Sequence, residues 1–216
     1  MTDEIKVKSA GRPKSLEKRA QILDCASKLV LMHGYVNTSM DAIAKESGVS
    51  KQTVYSHFNN KDALYNAIIE SKCEMYQINE QSIFNDTLPL EEVLINIGIR
   101  FIKLLTDENV IAMYKVVIGE SKQDSNVAKL FYDAGPLHSI ELVTNLMVQH
   151  EQSKLNHEQA RETSHDFFNL LKSDYHMPSM LHLQERLTNE DINTLAKSVA
   201  KKTMLIVNMH KQELPR

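Results

Sequence analysis

The sequence predicts an all-α fold, and three observations point to it. Only six Gly and five Pro fall in 216 residues, too few for the corners that a sandwich or barrel demands. Apolar residues recur at three- and four-residue spacing along most of the chain, and no stretch alternates as a strand does. Cap-type residues stand ahead of successive periodic runs: Ser15, then Thr38 and Ser39, then Asn60. A hydrophobic content of 42% with 25% charged residues is enough for a core and excludes a disordered or collagen-like chain.

The first fourteen residues, MTDEIKVKSAGRPK, form a polar arm with no apolar segment of the signal-peptide kind. Within it, Arg12 and Lys14 fit either an arm reaching a minor groove or a solvated tail. Ser15 opens a first helix from Leu16 to about His33, on Ile22, Ala26, Leu29 and Val30, and Gly34 ends it. A short helix over Met40–Ser47 follows, then Gly48-Val49-Ser50 and a third helix over Lys51–Phe58. Asn60 caps a fourth from Lys61 to about Ile78. With no Gly or Pro between Lys61 and Leu88, that helix is expected to act as a stiff lever.

Beyond Pro89, Leu90, Val93, Leu94, Ile97, Phe101, Leu104 and Leu105 form one apolar stripe, while Ile95, Ile99 and Ile102 form a second. A helix apolar on most of its circumference belongs inside a bundle. Asn96 and Arg100 lie on its narrow polar seam, open either to solvent or to a ligand's polar group. Further helices are expected from Asn109 to about Lys122 and at about 126–134, 136–152, 157–176 and 189–210.

No run approaches the ~20 apolar residues that span a bilayer, so a soluble, cytoplasmic protein is expected, with no membrane partner. Cys25 and Cys73 lack metal-ligand spacing and read as reduced core residues. Seven of the nine His lie beyond residue 65, and none pairs with a carboxylate at trustworthy metal spacing. Neither a metal nor a cofactor is expected. Without a nucleophile motif, a glycine-rich phosphate loop or a paired acid cluster, a helical enzyme is the weaker reading.

Charge is uneven along the chain. Residues 1–65 hold ten Lys/Arg against seven acids, a balance of +3 within a chain whose formal net charge is −3. A basic head on an acidic body suggests a polyanion-binding end. The residues Asp41–Lys61, DAIAKESGVSKQTVYSHFNNK, sharpen that suggestion into a helix-turn-helix. Ala44 is small where the helices cross, Gly48 supplies a positive φ at the turn, and Val54 plugs the core. On the third helix, Ser50, Lys51, Gln52, Thr53, Tyr55, Ser56 and His57 crowd hydrogen-bonding side chains into two turns without a carboxylate. Phosphate oxygens and base edges call for that chemistry.

The stretch GVSKQTVYSHFNNKDAL resembles the signature of the TetR family of bacterial repressors. The resemblance covers about residues 15–65 and implies a three-helix DNA-binding head, residues 15–65. A larger helical ligand-binding and dimerisation body, residues 66–216, would follow it. Transferred to this chain, the resemblance places Lys51, Gln52 and Thr53 toward base edges or the adjacent backbone. It puts Tyr55 and His57 on phosphate or bases, and Lys61 on a phosphate. Thr38, Ser39 and Ser50 lie at helix starts that meet the DNA backbone. Asp41 departs from the pattern, being acidic where some relatives carry a base-reading cation, and reads as a helix N-terminal acid.

The C-terminal part is similar to the AefR-like branch of that family, on Phe131-Tyr132-Asp133-Ala134-Gly135-Pro136 and Asp166-Phe167-Phe168-Asn169-Leu170-Leu171. Helix 157–176 carries Ala160, Thr163, Ser164, Phe167, Leu170 and Leu171 on one stripe. Helix 189–210 carries Ile192, Leu195, Ala196, Val199, Ala200, Thr203, Ile206 and Val207. Two copies of that pair are expected to build a four-helix homodimer interface, the small residues permitting close approach. A sensor pocket for a small, largely apolar ligand is expected among Phe101, Leu105, Met113, Tyr114, Val117, Phe131, Met147, Phe167 and Phe168, since Met and aromatic walls adapt to apolar guests. The expected whole is a ligand-responsive homodimeric repressor on a palindromic operator.

Overall fold

The computed structural model describes residues 16–84, 88–183 and 186–213. The arm of residues 1–14 and the Ser15 cap lie outside them. All regular structure among the described residues is helical. The elements are α1 (Leu16–His33), α2 (Met40–Glu46), α3 (Lys51–His57), α4 (Lys61–Met75), α5 (Glu80–Ile83) and α6 (Leu90–Leu105). They continue as α7 (Glu108–Glu120), α8 (Ser125–Tyr132), α9 (His138–Gln149), α10 (His157–Lys172), α11 (His176–Met180) and α12 (Asn189–Glu213).

Side-chain caps set the early helix starts. Ser39 accepts from Ala42 N–H, Ser50 from Thr53 N–H and Asn60 from Ala63 N–H, each worth about 1 kcal/mol. Thr38, the other cap expected for α2, is instead buried, its hydroxyl donating to the Gly34 carbonyl at 2.7 Å.

The fourth helix is shorter than expected. It ends at Met75, and Gln77 turns the chain at φ +56°. Gln77 N–H reaches Glu74 O at 2.8 Å and Ile78 N–H reaches Cys73 O at 2.9 Å, the paired closing bonds of a Schellman stop. Burial of Ile78 rewards the reversal, so the lack of Gly and Pro did not carry the helix onward. The rigid lever is therefore roughly 22 Å long, and the chain beyond it folds back as α5.

The segment expected as separate helices at 126–134 and 136–152 is nearly continuous. A π-turn over Asp133–Leu137 joins α8 to α9, with Pro136 inside it. Proline lacks the N–H that an α-helix needs there, and the wider turn absorbs the loss.

Two apolar clusters organise the chain. One gathers Ile22, Ala26 and Val30 of α1, Ile43 and Ala44 of α2, Val54 and Phe58, and Leu64 to Ile69 of α4. Met113, Val117, Val127 and Phe131 from α7 and α8 belong to the same cluster, so α7 and α8 weld the first four helices to the rest. The second cluster packs α6 against α12 and α10 against both α9 and α12. At the α6–α12 crossing Gly98 allows close packing: a β-carbon there would stand 3.2 Å from Ala196 Cβ and from Leu171 Cδ2, so these neighbours would have to give.

That crossing corrects the expectation about the last helices. Ala160, Thr163, Ser164, Phe167 and Leu171, like Ile192, Ala196, Val199, Ala200, Thr203 and Val207, are buried within the chain. The small residues permit close approach between helices of one protomer. On α12, Leu205 and Met209 remain exposed, at 59% and 63%.

Candidate nucleic-acid interface

The turn between α2 and α3 has the geometry that its residues dictate. Gly48 adopts φ +65°, with no atom within 4 Å of where a β-carbon would stand. Glycine is needed there for its backbone freedom alone, worth about 1–2 kcal/mol. Gly48 N–H meets Lys45 O at 3.3 Å and Val49 N–H meets Ala44 O at 3.1 Å, closing α2 as Gln77 closes α4. Ala44 and Val54 are buried at the crossing.

With Val54 and Phe58 held inside, α3 turns Lys51, Gln52, Tyr55 and Ser56 outward, while Thr53 and His57 are half-buried. Ser50 and Thr53 share their hydroxyls at 2.8 Å, and Ser56 donates to Thr53 O at 2.8 Å. Lys51 bridges to the neighbouring helix, its Nζ 2.7 Å from Asp41 Oδ1. Asp41, read from sequence as a helix N-terminal acid, thus also partners the leading cation of α3. Ser39 keeps its hydroxyl at the exposed start of α2.

The loop between α1 and α2 is clamped from three sides. Lys61 Nζ donates to Tyr35 O at 3.0 Å and lies 4.2 Å from the Tyr35 ring centroid, so this cation supports the loop. Asp62 accepts from the Tyr35 hydroxyl and, at 3.2 Å, from Asn126 Nδ2. Burial, then the Asp62 hydrogen bond, pushes the Tyr35 phenol well above its ordinary range. Glu120, the last residue of α7, accepts from Tyr35 N–H at 2.9 Å and Val36 N–H at 3.3 Å. Gly34, at φ +83°, makes this possible, since any β-carbon there would collide with the Glu120 carboxylate.

A cavity of about 70 Å³ lies between α4, α6, α7, α9 and α10, with Ser27 of α1 and Phe131 of α8 also on its wall. Of the expected lining residues, Phe101, Leu105, Met113, Tyr114, Phe131 and Phe168 reach it. Val117, Met147 and Phe167 do not; all three are buried in the surrounding core. Phe167 and Phe168 show why, because neighbours about 100° apart on a helix face different spaces. Gly135 and Pro136 of the π-turn form part of the wall, and Ser139 donates back to Gly135 O at 2.9 Å. Arg100 is elsewhere, its guanidinium on Ser82 O at 3.0 Å.

Two cavity cations escaped the sequence reading, Lys72 and Lys172. The signal for the second was the i, i+4 spacing of Phe168 and Lys172, which sets both on one face of α10. Lys72 lies 3.6 Å from Asp107. Burial opposes ionisation of that carboxyl, but the Tyr76 hydroxyl, the Val110 and Asn109 N–H groups and Lys72 outweigh it, leaving it below the ordinary range. The Tyr76 phenol, raised by burial and by this contact, sits at about 12.

Comparison with known proteins places this architecture. Residues 22–68 match the model described as bacterial regulatory proteins, tetR family. Residues 92–205, more than half of the chain, match that of the AefR-like transcriptional repressor, C-terminal domain. The chain belongs to the TetR family. Among TetR-family relatives, it is 33% identical over 88 residues to the HTH-type transcriptional repressor ComR of Escherichia coli (strain K12). That match spans 40% of this chain and 41% of ComR. A TetR-family regulator from Mesorhizobium loti shares the fold at a TM-score of 0.70 and 20% identity, covering 90% of this chain and 98% of that one. The flavonoid-responsive regulator FrrA superposes at 0.65 with 26% identity, covering 88% and 97%. TetR-family proteins are transcriptional regulators and not enzymes. Of the two body segments similar to the AefR-like branch, Phe131, Gly135 and Pro136 of one and Phe168 of the other line the cavity.

Proposed function

We propose that this TetR-family chain is a homodimeric repressor that reads a roughly palindromic operator through α3 and whose hold on it responds to a small molecule. The observation that carries the reading is the outward face of α3, where Lys51, Gln52 and Tyr55 stand exposed over a buried Val54. Side chains of this kind suit a major groove. In this reading Gln52 and Thr53 face bases, Lys51, Tyr55 and His57 meet bases or phosphate, and Ser39 and Ser50 meet the backbone. Lys61 acts on phosphate while bracing the loop; Thr38 acts only by holding that loop together. Residues 15–65 serve as the DNA-binding head and residues 66–216 as the sensing and pairing body, working in the cytoplasm.

Pairing falls to the outer faces of α10 and α12. Leu205 and Met209 supply apolar area, while Lys201 and Lys202 of α12 and Glu162 and Asp166 of α10, all exposed, supply opposite charges for the partner chain. Transmission follows from shared walls. The cavity is bounded by Met113 and Tyr114 of α7 and by Ile68 and Ile69 of α4. The far ends of those helices hold the loop before α2 through Glu120, Lys61 and Asp62. A ligand that spreads the walls moves both clamps together, and a ligand preferring one head spacing shifts the population toward it. FrrA, named as flavonoid-responsive, supports a sensing role for the body.

The test is a gel shift at increasing salt on DNA upstream of the chain's own gene. A dimer neutralising several phosphates loses affinity steeply with salt. Gln52→Ala should change which operator variants are preferred by about 1–3 kcal/mol. Binding indifferent to salt, or an unchanged preference in that variant, contradicts the reading.

A further inference from the structure

The cavity wall contains no acidic side chain among its described residues but does contain two lysines. Lys72 has Asp107 beside it. Lys172, the last residue of α10, is half-buried, and among the described residues no carboxylate pairs with it. A partly desolvated ammonium without a counter-ion is costly, and proteins seldom keep one without use. Burial lowers its basicity, as expected where nothing opposes the desolvation.

The next turn of chain adds two more unsatisfied groups. The Tyr175 hydroxyl and His176 Nδ1 are buried with no hydrogen-bond partner. The His176 ring stands edge-on to Tyr114, a cavity wall, at 5.4 Å between centroids. Burial, and then the nearby Lys172 ammonium, lower the basicity of His176, so it is neutral at neutral pH and acts as a hydrogen-bonding group. Two buried polar atoms on adjacent residues thus lack partners, three and four positions after a lysine that lines a cavity walled by Ile68, Leu104, Met113 and Phe131. Buried polar atoms are rarely left so, and each calls for a partner.

We propose that the cavity takes an amphipathic monoanion, an apolar chain or ring bearing one carboxylate, with Lys172 as its counter-ion. This rests on the sensor reading of the cavity given above. A single charge matches a single unpaired cation; a second negative charge would have to compete with Asp107 for Lys72. The cavity of about 70 Å³ is far below the roughly 300–1,000 Å³ of occupied ligand sites. Entry therefore displaces the walls, and flexible Met113 is suited to yield.

The experiment is calorimetric titration of the full chain near neutral pH with two matched pairs, octanoate against octan-1-ol and 4-phenylbutyrate against 4-phenylbutan-1-ol. Each acid is expected to bind at least about tenfold more tightly than its alcohol. Lys172→Met, which keeps the apolar stem, should abolish that preference while leaving the alcohols within about threefold, and Lys172→Arg should restore it. The tighter of the two acids identifies the source as a fatty or an aromatic acid. Acids and alcohols binding equally, or a preference that survives Lys172→Met, overturns the counter-ion role and leaves the cavity as an apolar sensor. Failure of all four to bind overturns both readings. Without ligand, Lys172→Met should raise the melting temperature; a fall would mean that Lys172 already has an anion in the chain and would refute the proposal.

Discussion

Glu120 is the contact through which the body holds the loop that precedes the recognition helices. Its carboxylate accepts from Tyr35 N–H at 2.9 Å and from Val36 N–H at 3.3 Å. The first is a charge-assisted bond to a buried residue, and the second is long enough to add little. Removal by Glu120→Ala should cost about 2 kcal/mol, which for a chain of this size lowers the melting temperature by roughly 4–8 °C. Gly34→Ala attacks the same contact from the other side. It strains a backbone at φ +83° and drives a β-carbon into the carboxylate. Strain of about 1–2 kcal/mol adds to the lost bond, so the variant should cost about 3–4 kcal/mol in the native background. In the Glu120→Ala background only the strain remains, giving a coupling of about 2 kcal/mol by urea or thermal unfolding. Both variants should also weaken operator binding, because the loop sets the start of α2. Costs that add to within about 0.5 kcal/mol would show that the carboxylate does not hold the loop.

Three further perturbations probe the remaining links. Asp41→Ala removes the partner of Lys51 at 2.7 Å and should raise DNA affinity while steepening its salt dependence by about one charge, as read in filter binding across salt concentrations. Leu205→Glu places a charge on the exposed apolar outer face of α12; sedimentation should report a monomer with unchanged helicity. Asp107, ionised below the ordinary carboxylate range, stabilises the fold above the unfolded pKa of about 4 and loses that contribution as pH falls through its lower folded value. Asp107→Asn should therefore melt earlier than the parent at neutral pH, with the difference closing in acid.

Helix existence was legible because it depends on local rules. Ser39, Ser50 and Asn60 cap the helices whose starts they mark, and Gly48 turns where a positive φ is required. The outward face of α3 was legible for a similar reason: Val54 and Phe58 fix which side is inward, and the polar residues follow. The end of α4 was not, because a glutamine made the left-handed turn and the burial of Ile78 that favours it is a tertiary contact. Nor was the fate of Thr38, whose hydroxyl turns to the Gly34 carbonyl instead of capping α2.

What the linear chain determined by itself is its helical class, the helix-turn-helix and its family, since each depends on residues within a few positions of one another. Only the tertiary structure decided which apolar stripes meet inside one protomer. Gly98 receives Ala196 from nearly a hundred residues away, and that contact withdraws the stripe expected for a partner. It alone joined Glu120 to Gly34, and left Lys172 at a cavity wall with no carboxylate paired to it among the described residues. Periodicity states which face of a helix is apolar; what that face touches depends on how the helices cross, and crossing angles are set by packing across the whole chain.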